Sequence, residues 1–140
     1  MLTSDAAIDR ARIALTLPAT TAAAAWRVER PDRPGRPYYL IVFGVDDASI
    51  GAATIDASSG EIGTMARLSG AGPHLTVDAP TAAAIARANE PISVSLVWRP
   101  GRASRSPLYP LWEIQERQRT VFVDQSGKTW TTIEPESKGG

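Results

Sequence analysis

A chain of 140 residues and 14.9 kDa is the size of one ordinary domain, or of two very small ones. Hydrophobic residues make up 43%, but 22 residues are alanine, so much of the core must be built from methyl groups. A net charge of zero excludes the strong positive field of a general nucleic-acid binder, and no cysteine with one histidine excludes disulfide scaffolds, thiol catalysis, zinc sites and Ser-His-Asp triads as complete sets.

Met1 to Asp5 has no basic stretch, and Asp5 and Asp9 interrupt any apolar core, so no signal peptide is read here. No apolar run approaches the roughly 18 residues that span a bilayer. A complete chain would be expected in the cytoplasm, and a piece of a longer one in the cell envelope or periplasm. Thirteen arginines against two lysines reflect genome composition more readily than function.

The first predicted helix runs from Asp5 to Leu15, with Ser4 as N-cap and Pro18 beyond its end. Ile8, Ala11 and Leu15 line one face, beside Ala7 and Ala14. The period then changes to two. Trp26 and Val28 alternate with Arg27 and Glu29, and a loop with three prolines follows from Arg30 to Pro37. Tyr38 to Phe43 is a continuous apolar run and should be the best-buried strand. Asp46-Asp47 breaks it, Gly51 to Asp56 resumes it, Ser58-Ser59-Gly60 turns, and Glu61 to Leu68 can form a last strand. Ser69 to Pro73 reads as a linker.

A second helix is expected from Ala79 to Ala88, with Asp78 as N-cap and Asn89 and Pro91 at its end. Ile92, Val94, Leu96 and Trp98 then alternate with Ser93 and Ser95, the cleanest strand pattern in the chain. After a loop from Pro100 to Ser106 come strands at Leu108 to Glu116, Thr120 to Asp124 and Lys128 to Ile133, with a turn at Ser126-Gly127. Residues from Glu134 onward should fray.

Three segments echo one another in order. Arg33-Pro34-Gly35-Arg36 recurs as Arg99-Pro100-Gly101-Arg102, and Pro37-Tyr38-Tyr39-Leu40 as Pro107-Leu108-Tyr109-Pro110-Leu111. Asp56-Ala57-Ser58-Ser59-Gly60-Glu61 recurs as Asp124-Gln125-Ser126-Gly127-Lys128. The expected architecture is therefore α+β, with two helix-plus-antiparallel-sheet repeats, 1–72 and 73–140, packed into one compact body.

A helix, a strand with the core Tyr38-Tyr39-Leu40-Ile41-Val42, and a strand closing on Asp56-Ala57-Ser58-Ser59-Gly60-Glu61 resemble the PepSY family and the wider cystatin-like class. Val121 to Lys128 matches with one residue fewer in the turn. The resemblance implies a helix packed across a curled antiparallel sheet, and a role in binding or restraining proteins, often peptidases, at the cell envelope.

No set of residues assembles a catalytic site. Asp56 and Asp124 are read as turn residues, because a calcium loop needs more oxygen ligands at regular spacing. His74 has no metal-binding neighbours in sequence, and Glu113 and Glu116 fall on opposite faces of a strand. Gly70-Ala71-Gly72-Pro73 is a linker, since proline stands where a phosphate-binding helix would begin. Trp26 and Trp98 lie on the buried phase of their strands, whereas Trp112 and Trp130 stay open. No cofactor is implied. Surface arginines remain: Arg33 and Arg36 in one loop, and Arg99, Arg102 and Arg105 in the other, suited to carboxylates of a protein partner. The expected function is a non-catalytic protein-binding module, inhibitory or regulatory toward a peptidase. The alternative is a sensory or structural domain binding a small ligand in the sheet's concavity.

Overall fold

The computed structural model describes residues 1–45 and 47–134, and it is α+β. The chain divides into two compact units, Met1–His74 and Leu75–Gly140.

The first unit opens with helix α1, Ser4–Ala14. Its N-cap is Thr3 rather than the expected Ser4: the Thr3 hydroxyl accepts from Ala6 N at 3.1 Å, and extended backbone at Thr3 moves Ser4 into the first turn. The helix closes in a Schellman motif, with Thr16 N on Ile13 O at 3.1 Å and Leu17 N on Arg12 O at 3.0 Å. Four strands follow: β1 Ala23–Glu29, β2 Tyr38–Val45, β3 Ala48–Asp56 and β4 Ile62–Arg67. They form an antiparallel meander in the order β4-β3-β2-β1.

Ala7 and Ala11 of α1, with Leu15 at its C-cap, pack on Ile41, Phe43, Ala53 and Ile55. Methyl-sized side chains at the helix positions let its backbone lie close to the sheet. Arg12 fastens the end of the helix: its guanidinium donates to Pro18 O and Thr21 O and lies 5.4 Å from the Phe43 ring centre. β2 is well buried, with Leu40, Ile41 and Phe43 fully enclosed, but it is not the best-buried strand as expected: β3, with Gly51 to Ile55 buried without a break, is covered at least as fully. The strand expected at Glu61 to Leu68 is β4, exposed along most of its length because it is the outer strand of the meander. Of the Asp46-Asp47 break, Asp46 lies outside the described residues and Asp47 is an exposed turn residue.

In the second unit, helix α2, Ala79–Ile85, is capped by Asp78, whose carboxylate accepts from Thr81 N at 2.9 Å. It stops earlier than the expected Ala88. Arg87 turns left-handed, and a second Schellman motif forms from Arg87 N to Ala84 O and Ala88 N to Ala83 O. Strands β5 Ser93–Val97, β6 Leu111–Gln115, β7 Thr120–Val123 and β8 Thr129–Trp130 pair antiparallel in chain order. Val94, Ile114 and Val121 stand opposite one another, as do Leu96, Trp112 and Val123, so these six share one face. Helix α2 packs against β5 and β6, and Trp112 donates its indole N–H to Val77 O at 2.7 Å.

Two expected strands are shorter than their patterns. β6 begins at Leu111 because Ser106 closes a turn onto Tyr109 N and Pro107 and Pro110 lack N–H donors. β8 has only Thr129–Trp130, not Lys128 to Ile133. Of the tail expected to fray from Glu134, residues 135 onward lie outside the described residues. Trp98 and Trp112 are buried, while Trp26 and Trp130 are half-buried.

Candidate partner-binding loops

The β1–β2 connection is a succession of tight turns. Arg33 N bonds Arg30 O and Arg36 N bonds Arg33 O, both at 3.0 Å, and Gly35 takes a φ of 79°. Arg30 is consumed internally. Its guanidinium forks onto Asp32 at 3.0 and 2.7 Å, with both side chains largely buried. Arg33 and Arg36 are exposed, and neither side chain is ion-paired among the described residues. Arg36 also lines a hollow of about 420 Å³ with Gly35, Asp56, Ser58, Ser59 and Glu61.

Asp56 belongs to the β3–β4 turn. One of its carboxylate oxygens accepts from Ser59 N at 2.7 Å and Ser58 N at 2.8 Å, and Gly60, at φ 76°, returns its N–H to Asp56 O. These bonds, led by the one from Ser59 N, hold its carboxyl below the usual range, and the Arg36 charge adds to them. Asp124 serves the β7–β8 turn more fully. One oxygen accepts from Ser126 N, the Ser126 hydroxyl and Lys128 N, and the other from Trp130 Nε1 at 2.9 Å. The Lys128 ammonium sits 4.3 Å from the centre of the Trp130 ring. Asp124 spends both oxygens and Asp56 one on groups of their own turns, and among the described residues no cluster of three His, Cys, Asp or Glu could hold a metal ion.

In the β5–β6 loop, Arg102 and Arg105 are exposed. Arg99 differs: it is half-buried, and its Nε is shut away from water without a hydrogen bond. The loop braces itself. Ser104 Oγ lies 2.7 Å from Tyr109 O and 3.0 Å from Ser106 O, while Ser106 accepts from Leu108 N and Tyr109 N. The structure therefore gathers Arg33 with Arg36, and Arg102 with Arg105, as solvent-facing cations on braced loops.

Other groups seen in the sequence are structural. His74 is buried, its backbone N–H donating to the Ser49 hydroxyl at 2.8 Å. Burial pushes the Tyr38 phenol far above its ordinary range, with the Arg30 charge opposing, so it stays neutral. Glu113 lies in β6, whereas Glu116 pairs with Arg119 at 2.7 Å and accepts from Asn89 N. Sequence reasoning missed a hollow of about 640 Å³ lined by Asn89, Glu90, Ile92 and the turn from Glu116 to Arg119. Glu90 in its wall takes left-handed backbone, for which glutamate is no signal in sequence. No helix is long and apolar enough to cross a membrane among the described residues. Comparison with known protein families, curated proteins and solved structures returns no match.

Proposed function

We propose that the chain is a non-catalytic protein-binding module made of two PepSY-like repeats, and that it restrains a peptidase through its arginine-bearing loops. The observation that carries this reading is the exposure of Arg33 and Arg36 in the β1–β2 loop and of Arg102 and Arg105 in the β5–β6 loop. These loops join the first two strands of their units, as the Arg-Pro-Gly-Arg echo requires. Support for the repeat comes from the shared element order, the Schellman ends of both helices and the matching aspartate turns. A braced loop loses little entropy when a partner orders it, and an arginine fork makes paired bonds to a carboxylate.

The test is binding of the immobilised chain to purified serine, cysteine and metallopeptidases at about 0.05 M and about 0.3 M salt. At least one should bind, and its affinity should fall with salt. Changing Arg33, Arg36, Arg102 and Arg105 together to Glu should abolish binding without altering the melting temperature. A chain that binds none of these peptidases, or a variant that binds equally well, overturns the reading.

A further inference from the structure

Every arginine of the first loop precedes a proline: Arg30-Pro31, Arg33-Pro34 and Arg36-Pro37. The same holds for Arg99-Pro100, but Arg102 precedes Ala103 and Arg105 precedes Ser106. A peptidase that cuts after a basic residue needs an unhindered amide on the following residue, and proline has neither the N–H nor the room. Of the arginine peptide bonds in the two loops, those following Arg102 and Arg105 alone remain available to such an enzyme.

These two differ in their support. Exposed Arg105 sits between two serines that are both tied to the base of the loop. Ser104 Oγ reaches Tyr109 O, and Ser106 accepts Tyr109 N on its carbonyl and Leu108 N on its hydroxyl. Pro107 adds a fixed φ directly after Ser106. Arg117, also exposed, lies in a turn closed by Glu116 N on Arg119 O at 2.9 Å, too tight to open into a cleft.

We propose that the Arg105-Ser106 bond is a substrate-shaped bait for an endopeptidase that cleaves after arginine. The inference rests on the peptidase-binding reading above and names the class of enzyme. The guanidinium enters a pocket with a carboxylate at its base, where paired charge-assisted bonds reward it. Hydrolysis would consume one water, leaving a carboxylate on Arg105 and an ammonium on Ser106. The bonds from Ser104, Leu108 and Tyr109 keep those two ends side by side, so the nicked loop stays in the cleft and turnover is slow. Preorganisation strengthens the bound state by the same means.

Trypsin is the probe, assayed on a small arginyl anilide with the full chain as inhibitor. Wild type should inhibit, and Arg105→Ala should raise the inhibition constant at least about a hundredfold, whereas Arg117→Ala, outside both loops, should change it less than about threefold. Ser104→Ala should keep the arginine but free the loop, so that mass spectrometry records faster cleavage after Arg105 than in wild type. Rapid digestion of the wild-type loop without inhibition overturns the proposal, as does undiminished inhibition by Arg105→Ala. Melting curves of each variant separate these outcomes from misfolding. If a cysteine or metallopeptidase binds through Arg33 and Arg36 while Arg105→Ala has no effect, the bait is wrong and the protein-binding reading stands. If no peptidase binds at all, both fall.

Discussion

Asp56 and Asp124 occupy matching turns but carry different loads. Asp56 accepts from two backbone N–H groups, whereas Asp124 accepts from Ser126, Lys128 and the Trp130 indole and is only 9% exposed. Burial works to raise the Asp124 carboxyl, but the bonds from Trp130, Ser126 and Lys128 outweigh it and leave the group below its ordinary value. Removing it also strands the Trp130 N–H and the turn amides. Asp124→Ala should therefore cost about 1–3 kcal/mol, against about 0.5–2 kcal/mol for Asp56→Ala, as read by urea unfolding at neutral pH. A carboxyl depressed in the folded state stabilises fully above its unfolded value, near 3.9. That contribution disappears as pH falls through the lower folded value, so the cost of Asp124→Ala should shrink steadily as the solution is acidified below about pH 4. Equal costs for the two variants at neutral pH would show that the Trp130 bond contributes nothing.

Among the elements, glycine and its absence mark where geometry overrides residue preference. Gly44 sits in the bulge of β2 with φ 121°, where an added Cβ would lie 2.2 Å from Ala48 O. Gly35, in the arginine loop, also has positive φ, but an added Cβ meets nothing within 4 Å. Gly35→Ala should cost about 1 kcal/mol from backbone alone, and Gly44→Ala more than about 3 kcal/mol because the hairpin must open. Comparable losses in thermal melts would mean that the bulge adapts freely. The helix ends make the opposite case. Thr16 closes α1 at φ 55°, a conformation poorly suited to a β-branched residue. Thr16→Gly should raise stability by about 0.5–1 kcal/mol, the relief of left-handed strain less the entropy of a glycine. A lower melting temperature would place some further role on the Thr16 side chain.

For the molecule as a whole, the two units differ in how much regular structure each contains. Residues 1–74 carry an eleven-residue helix and strands of seven, eight, nine and six residues. The described residues of 75–134 carry a seven-residue helix and strands of five, five, four and two. Domains of roughly 60 residues bury only about 60% of their unfolded surface and are marginal on their own. Expressed separately, 1–74 should therefore melt cooperatively at a higher temperature than 75–140 by circular dichroism. Equal melting temperatures would show that the longer strands and helix of the first unit bring no added stability.

What the residues determined by themselves was local chemistry. The cap at Asp78, the turns at Asp56 and Asp124 and the apolar run of β2 depend on groups a few positions apart, and all were legible in order. The alternation expected from Ile92 to Trp98 was not kept, since Ile92 is exposed and Val97 is buried beside Leu96 and Trp98. The arginine loops were legible as composition, including the proline after each arginine of the first loop. Which arginines face water was decided by tertiary structure. Arg30 turned inward onto Asp32 and Arg99 was drawn half under cover, while Arg33, Arg36, Arg102 and Arg105 stayed outside. The exposure of β4 follows from its outer place in the meander, and the partner of Trp130 from how β7 and β8 meet. The left-handed ends of α1 and α2 follow from chain reversal at residues with no preference for it. Local hydrogen bonds act within a turn and leave their mark in sequence; burial and strand position depend on partners tens of residues away, and only the folded chain brings those together.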